Sequence, residues 1–574
     1  MPNAHSRWCS AARFARIPCA RKTGRAQPRI PAIRPCAGGH SADQTAGRTR
    51  ERKVKMKPKH YSYALLFLAL MSYLWMTCSF MPFPADFEDS YIMHRYAQNG
   101  VDGFMFEWNP HSAPVQGTTG IAWVTLVTLL ARLTRFNVIS VNSYAGLIFA
   151  ILTLLVVYAA TVRNFNPNNR WVAICALIPI ISSPFFTRSS ANGLETSITL
   201  FFVALSIYLL RYCKDSFKDA WWLGVFSGFT LLVRPDLPLF PISLFVIGLA
   251  LNAGNHSQRI RNCLALLLGA LLSALFSLFL AKSATGTAFP LSASLKFALS
   301  DLLLGRLPGS QYNYILGAQL TFLSYLLPLI LLALVPMAAL DLKESKKYIP
   351  VYGACGIYFV YLFSVLPIMD VAYRFQLPLL IGLSFSLVHF FDLMVKSGVS
   401  GKRACILIFS IGVLLAIGNT TLLFSGKKEA QMLRADHNDF EDIGKELGTI
   451  PGISIASPEA GKLAAYSGKK FFDTVGLNNL FVANNKNKPN YPALLQNYLQ
   501  TDFGMPDVYI RKSDTADGGY TFLEILPDFK QVYVCNSAGN AERIGKVVCV
   551  NRAGSEVKAI VANLAASGVE IVLP

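Results

Sequence analysis

With 53% of its 574 residues from the AVILMFWYC set and only 15% charged, the chain is too hydrophobic for a disordered protein or an ordinary soluble enzyme. Its mean hydropathy is +0.40 and its formal net charge is +20. The first 60 residues alone carry +13 of that charge, with 15 Lys and Arg against Asp43 and Glu51. The small remaining excess matches the positive-inside bias of membrane proteins, so the charge gives no reason to expect nucleic-acid binding.

Residues 1–58 are predicted to be a basic, disordered N-terminal extension. They are rich in Arg, Pro, Ala and Gly, and they contain no apolar core of a signal peptide. Met56 opens a second short basic segment directly before an apolar run. Whether the residues upstream of Met56 belong to the mature protein is therefore left open.

Residues 59–426 are predicted to form a membrane domain. Tyr61 to Phe80 contains no charge and is long enough, at about 1.5 Å per residue, to cross a hydrocarbon core of about 30 Å. Lys and Arg concentrate in alternate loops, which predicts a cytoplasmic N-terminus and an outer location for everything after Gly426. The apolar runs give about eleven spans in all, the others at roughly 142–162, 171–187, 196–210, 221–233, 237–253, 262–281, 314–340, 349–368, 375–395 and 404–425.

Residues 427–574 are predicted to form a soluble, periplasmic α/β domain. Their apolar runs shorten to strand length, as in GISIAS, VYI, FLEIL, QVYV and KVVCV, and polar helix-like stretches separate them. Cys535 and Cys549 flank a turn-rich segment between two such runs, so a disulfide across a hairpin is sterically reasonable in an oxidising compartment. Asp473 in this region is interpreted as a turn former.

The predicted first outside loop, 81–141, contains the most informative residues. Asp86, Glu88 and Asp89 follow the first span, at an interface where a carboxylate is costly unless it is solvated or functional. A carboxylate there can act as a general base toward a hydroxyl. Arg95 follows within the same stretch, and its alternatives of a phosphate contact or a salt bridge within the loop stay open.

Six stretches of this sequence resemble a known family. They are EDSYIMHRYAQN, FEWNPHSAPVQGTTG, NGLETSITLF, LLVRPDLPLF, FPLSASLKF and YRFQLPLL, and a seventh, SPEAGKLAAYSGKKFFDTVGLNN, lies in the soluble region. In this order they resemble the GT-C glycosyltransferases, most closely the mycobacterial terminal arabinofuranosyltransferases, over about residues 60–574. Two positions depart from that family. Glu88 stands where Asp is more usual, and Thr118 stands where Tyr is common.

The resemblance implies transfer of a sugar, arabinofuranose being one candidate, from a polyprenyl-phosphate donor to an acceptor hydroxyl, with inversion. It also implies that this transfer occurs at the outer, periplasmic face of a bacterial inner membrane. Asp89 or Glu88 would be the general base. Fixed guanidinium groups would hold the departing phosphate, and an aromatic ring beside an amide suits a sugar. The predicted substrate-binding residues are Arg95, Trp108, Asn109, Glu195, Arg234, Lys296 and Arg374. Snorkelling arginines and an interfacial tryptophan are the ordinary alternatives.

Several alternatives stay open at this stage. The acceptor could be a polysaccharide, a glycolipid or a secreted protein, and lipid-A or pilin-type transferases share this architecture. A non-enzymatic transporter of lipid-linked sugars is the third reading, although ionisable residues lie mainly at the span ends. No metal ligands are predicted, and two adjacent acids do not decide whether a divalent cation takes part.

Overall fold

The computed structural model describes residues 58–80, 87–165, 170–214, 216–251, 255–296, 309–340, 345–366, 370, 373–512, 533–538, 546–551 and 560. The N-terminal extension up to residue 57, Asp86 and the predicted strand FLEIL lie outside the described residues. So does the side chain of Lys296, although its backbone ends a described helix.

Helices dominate the described chain as far as residue 448. The first nine are α1 (Pro58–Phe80), α2 (Glu88–Val101), α3 (Ile121–Thr134), α4 (Val138–Ala160), α5 (Arg170–Ile181), α6 (Pro184–Ser190), α7 (Thr196–Leu209), α8 (Phe217–Phe229) and α9 (Leu239–Leu251). The next seven are α10 (His256–Thr285), α11 (Leu291–Lys296), α12 (Gly309–Ala339), α13 (Ile349–Leu362), α14 (Leu377–Leu383), α15 (Ser386–Lys396) and α16 (Gly401–Gly448). Two residues define the ends of the long α10. The Asn255 side chain caps its first turn, and Gly286 ends the helix in the left-handed conformation, with φ of 74°.

Five described helical segments are long and apolar enough to cross a membrane, and a sixth results if α5 and α6, bent by 79°, count as one span. The five are Ser62–Ser79, Val138–Phe165, His256–Thr285, Gly309–Ala339 and Leu377–Lys396. The bend has a local cause, since Ser183 caps the start of α6 and Pro184 occupies its first position. Four shorter apolar helices are also present. Three of them, α7, α9 and α13, coincide with predicted spans, whereas α3 lies in the predicted loop 81–141. The chain is thus a multi-pass membrane protein, and its predicted count of about eleven spans stays a prediction.

The outer surfaces of these helices are apolar. Trp75 of α1, Leu264 and Phe279 of α10 and Leu414 of α16 are each at least 60% exposed. Such large exposed side chains are unfavourable in water and are the normal surface of a helix that faces lipid.

The predicted loop 81–141 is not irregular. It contains the amphipathic α2, the apolar α3 and the start of α4. At about 1.5 Å per residue, the 14 residues of α3 are too short to cross about 30 Å of hydrocarbon. A search for long apolar runs therefore passes over this helix.

The C-terminal part of the chain contains a five-stranded mixed sheet. Its strands are β1 (Ser454–Ser457), β2 (Lys470–Asp473), β3 (Val508–Lys512), β4 (Tyr533–Ala538) and β5 (Lys546–Asn551), in the order β2-β1-β3-β5-β4. The first three run parallel, and β5 is antiparallel to both β3 and β4. Three helices accompany the sheet: α17 (Lys462–Ser467), α18 (Leu480–Asn485) and α19 (Tyr491–Tyr498).

Two predictions for this region, the domain boundary and the disulfide, can be compared with the structure. The proposed boundary at residue 427 falls inside α16, a single helix of 48 residues that runs from the apolar segment toward the sheet. Cys549 is disulfide-bonded, and Cys535 lies directly opposite it in the ladder between β4 and β5. The register is the one that the predicted Cys535–Cys549 bond requires.

Candidate active site

A cavity of about 330 Å³, counting the space at its mouth, lies where six separate segments of the chain meet. Its lining residues are Asp89, Ile92, Met93, Gly117, Thr118, Thr119, Leu194, Ser292, Arg374 and Leu477. Acidic, hydroxyl, cationic and apolar groups therefore share one small space. Two of the predicted site residues, Asp89 and Arg374, are brought together here.

Helix α2 supplies the acid. Asp89 lies in its first turn, where a carboxylate is favoured by the positive end of the helix dipole. Ile92 and Met93 follow at i+3 and i+4, on the same face, and also line the cavity. The helix thus presents one carboxylate beside two apolar side chains.

Arg374 supplies the positive charge. Its side chain is 3% exposed, and its Nε and Nη1 have no hydrogen-bond acceptor among the described residues. Ser292, in the same lining, is also buried with its hydroxyl unpaired in the described part of the chain. Buried polar groups are normally satisfied, so unpaired donors facing one cavity are what an anionic, oxygen-rich ligand would use.

Arg234 lies close to Arg374, but two of its three guanidinium nitrogens are already paired, and only Nη1 lacks a partner among the described residues. Its Nε and Nη2 donate to the two carboxylate oxygens of Asp236, each at 2.9 Å, and Tyr358 donates to the same carboxylate at 2.8 Å. The Phe375 ring lies 4.9 Å from the Arg234 guanidinium and 5.3 Å from that of Arg374. The two cations therefore converge on one aromatic ring, with Arg374 alone on the cavity lining.

Glu195 is fully buried directly after Leu194, a cavity-lining residue. Neither of its carboxylate oxygens has a hydrogen-bond partner among the described residues, and the carboxylate interacts electrostatically with Arg234. Glu195 stands at the N-cap of α7 without a capping hydrogen bond. It therefore lies behind the cavity wall.

Glu88 points away from the cavity. Its Oε1 accepts a hydrogen bond of 2.8 Å from the backbone N–H of Lys462, in the C-terminal region. Burial is the main cause that raises the pKa of this carboxyl to about 8, and Glu459 adds to the shift. Of the two adjacent acids, only Asp89 faces the space that also holds Arg374.

Arg95, Trp108 and Asn109 also contact the C-terminal region instead of lining the cavity. The Arg95 guanidinium donates to the backbone oxygens of Trp108, Ala464 and Lys469 and to the Asn109 side chain. The Trp108 indole N–H and the Asn109 amide both donate to the Phe471 carbonyl, and the Asn109 oxygen accepts from the Phe471 N–H. These three side chains cover the open edge of β2.

The backbone of Lys296 ends α11, one turn after Ser292. No group of three or more His, Cys, Asp or Glu residues with metal-binding geometry occurs among the described residues. The structure thus adds no observation in favour of a resident cation.

Ser292 and Leu477 lie in stretches that resemble the family, but the sequence did not predict either of them as a site residue. Leu477 belongs to a turn organised by Asp473, whose carboxylate accepts from the backbone N–H groups of Val475, Gly476 and Asn478. That confirms the interpretation of Asp473 as a turn former. A Cβ on Gly117 would lie 1.9 Å from the side-chain oxygen of Asn478, so the glycine permits this turn to close over the cavity. The TVGLNN stretch shows in the sequence that a turn is present, but nothing near it in the sequence shows that the turn packs against Gly117.

Comparisons with known proteins place the fold. No family model and no curated protein sequence matches the chain. ArnT from Cupriavidus metallidurans, solved bound to undecaprenyl phosphate, aligns with a TM-score of 0.53 at 11% identity, over 87% of this chain and 99% of that one. The archaeal oligosaccharyltransferase AglB from Archaeoglobus fulgidus, in complex with an inhibitory peptide and a dolichol-phosphate, gives 0.51 at 12% identity, over 85% and 74%.

Arabinofuranosyltransferase AftD from Mycobacteria gives a TM-score of 0.44 at 11% identity, and this chain covers 40% of it. A likeness at that level carries no argument about the sugar. The ArnT and AglB alignments show that the chain has the GT-C glycosyltransferase fold, and they do not select the arabinofuranosyltransferase family.

Proposed function

We propose that the chain is a GT-C glycosyltransferase that moves a sugar from a polyprenyl-phosphate donor to an acceptor hydroxyl. One observation carries this proposal: Asp89 and a buried Arg374 with unpaired N–H groups line the same cavity. A base for the incoming hydroxyl and a cation for the departing phosphate are the two groups that such a transfer requires.

The reaction follows from these two roles. The acceptor oxygen attacks the anomeric carbon while the Asp89 carboxylate takes the hydroxyl proton. The bond between that carbon and the phosphate oxygen breaks, and the phosphate keeps the electron pair, held by the Arg374 guanidinium and the Ser292 hydroxyl. Attack from the face opposite the leaving group inverts the anomeric carbon. The donor is already activated, so no nucleotide is consumed.

An apolar groove of about 680 Å³, counting the open space at its mouth, lies between α12, α13 and α14 and is lined by residues such as Leu326, Phe359 and Leu379. Helix α14 begins three residues after Arg374. A phosphate at Arg374 would therefore place an isoprenoid chain beside this groove, which is too apolar for a free nucleotide sugar. Solved GT-C structures with undecaprenyl phosphate and with dolichol-phosphate support a lipid-phosphate donor here.

The sugar and the acceptor are assigned from the sequence. Arabinofuranose is the candidate sugar through sequence resemblance, and a polysaccharide, glycolipid or secreted protein is the candidate acceptor. The sequence resemblance supports a bacterial inner-membrane location, and the charge pattern of the loops supports an orientation with the active site and the C-terminal domain on the periplasmic side.

The test uses a strain in which the gene is deleted and then restored. Mass spectrometry of surface glycans and secreted proteins identifies the missing sugar, and Asp89→Asn should fail to restore it, with a rate loss of about 10²- to 10⁴-fold. Asp102→Asn is the matched control, because Asp102 is an exposed acid just after the other end of α2. Full restoration by Asp89→Asn would reject the proposed base, and an unchanged glycan profile in the deletion strain would reject the function.

A further inference from the structure

We propose that Glu88 is a positioning residue: it locks the start of α2 onto residues 459–469, and this contact aims Asp89 into the cavity. The inference rests on the proposed function, because it assigns Asp89 the role of base.

Glu88 fits against its partner segment with no space to spare. Its Oε1 accepts from the Lys462 N–H, and Gly461 lies directly against it. A Cβ on Gly461 would lie 2.2 Å from the Glu88 Oε1 and 2.4 Å from the Glu88 backbone oxygen. A side chain at 461 would therefore displace the backbone of α2 and not only a flexible carboxylate.

The same face of α2 continues this contact for two turns. Tyr91, three residues after Glu88, has its hydroxyl 3.2 Å from that of Tyr466, and the two rings are 5.3 Å apart. Arg95, four residues further on, donates to the carbonyls of Ala464 and Lys469. Positions 88, 91 and 95 follow helical periodicity, so one stripe of α2 is fixed to the C-terminal region.

A different stripe faces the cavity. Asp89, Ile92 and Met93 line it, and successive helix positions are about 100° apart. The rotation of α2 about its own axis therefore decides whether Asp89 points into the cavity. The contacts at Glu88, Tyr91 and Arg95 fix that rotation.

Charge explains why a glutamic acid can serve at this position. Glu459 and Asp89 face the Glu88 carboxyl with negative charge, Lys462 with positive charge, and Glu441, Lys445 and Tyr466 lie further along the same contact. Its Oε2 is buried with no hydrogen-bond partner among the described residues. Burial raises its pKa from 4.5 to about 8, so the neutral acid predominates at pH 7. The stabilisation from this neutral acid is fully present below about pH 4.5 and is lost as the pH rises through about 8.

The experiment compares Glu88→Gln, Glu88→Ala and Gly461→Ala, with Gly317→Ala as the matched control because nothing lies within 4 Å of a Cβ there. Open membrane fragments from the deletion strain expressing each variant supply the cell's own donor and acceptor, and product is measured by mass spectrometry from pH 6 to 9.5. Glutamine keeps the shape and hydrogen bonding of a neutral acid. We expect it to retain activity within about threefold, whereas Glu88→Ala and Gly461→Ala lose about 100-fold.

The pH profile separates positioning from general stability. Wild-type activity should fall above about pH 8 as Glu88 ionises, and Glu88→Gln should lack this alkaline loss. Hydrogen exchange on the purified proteins gives a readout independent of turnover. Exchange in peptides from α2 should rise in Glu88→Ala and Gly461→Ala and stay unchanged in Glu88→Gln and Gly317→Ala.

The outcomes distinguish this inference from the proposed function. If Asp89→Asn is inactive while Glu88→Ala and Gly461→Ala work normally, the positioning role is wrong and the function stands. If Glu88→Gln is as inactive as Asp89→Asn, Glu88 is itself catalytic and the positioning role is again wrong. If Asp89→Asn is fully active, the proposed base is wrong and the positioning role fails with it, whereas an unchanged glycan profile in the deletion strain would reject the function itself.

Discussion

Two buried arginines differ in their hydrogen bonding. Arg95 belongs to the contact between α2 and residues 459–469, here called the docking contact, and Arg374 lines the cavity. Arg95 is 5% exposed and Arg374 is 3% exposed, so both have left water. Arg95 has acceptors on the loop before α3 and on the C-terminal region, whereas two nitrogens of Arg374 have none among the described residues. Burial of a charge is tolerated only with compensation. Arg95 receives that compensation through hydrogen bonds within the fold, whereas Arg374 interacts electrostatically with Asp370 and keeps two N–H groups for a ligand.

The comparison predicts its largest effect at the cavity. Arg374→Ala should lower transfer about 10²- to 10³-fold, because it removes the donors to the departing phosphate. Arg374→Lys should recover only part of the rate, since an ammonium keeps the charge and loses the planar fork. Product formation in membranes of the deletion strain measures both.

Arg170→Ala is the control, because Arg170 donates to the Tyr63 hydroxyl outside the cavity. Normal transfer by Arg374→Ala would remove the contrast between the two arginines.

At the docking contact, Arg95→Met should act on folding. It removes the donor of the Lys469 carbonyl and leaves the carbonyls of Trp108 and Ala464 with the longer hydrogen bonds from Asn99 and Ser467. We therefore expect a loss of about 3 kcal/mol in the free energy of unfolding. Thermal unfolding in detergent measures the loss, with Gln98→Met on the exposed side of α2 as the control. Unchanged stability together with weakened donor binding would instead indicate a phosphate contact at Arg95.

The hairpin of β4 and β5 should show a smaller effect. Cys549→Ser should cost about 2 kcal/mol, at the low end of the usual range for a disulfide because the ladder already holds the two strands together. Peptide mapping without reductant should recover one linked pair that contains Cys535 and Cys549. A free Cys549 thiol, or linkage to another cysteine, would contradict the predicted pairing.

The smallest effect is expected at Trp108. Trp108→Phe removes one hydrogen bond, from the indole N–H to the Phe471 carbonyl at 3.2 Å, and keeps the buried ring. A loss of about 1 kcal/mol in stability with unchanged transfer is expected. If transfer falls while stability is unchanged, Trp108 contacts the sugar, as the sequence suggested, and it then belongs to the cavity and not to the contact with the C-terminal region.

The sequence predicted the multi-pass helical architecture because long apolar runs report it directly. It also brought Asp89 and Arg374 into one hypothesis through motifs that resemble a family. It could not choose between Glu88 and Asp89, since adjacent helix residues point in different directions and the choice depends on contacts with residues 461 and 462.

Long-range partners also explain the remaining differences. Arg95, Trp108 and Asn109 lie in a loop rich in polar and aromatic residues, which looks the same whether it meets a sugar or the edge of a sheet. Their partners are backbone groups between residues 464 and 471. Because every residue type has a backbone carbonyl, the amino-acid sequence does not show which of them accepts these hydrogen bonds. Ser292 lies in the FPLSASLKF stretch that resembles the family, but the resemblance gave this serine no role.

The helix from Gly401 to Gly448 is unbroken, so its length fixes the rotation and the distance of the sheet relative to the bilayer. Each residue added to it would turn whatever follows by about 100° and advance it by about 1.5 Å. One inserted alanine would therefore twist the C-terminal region out of register with α2, whereas seven would nearly restore the angle while lengthening the helix by about 10 Å. The number of residues in this connector therefore matters as much as their identity for the contact at Glu88.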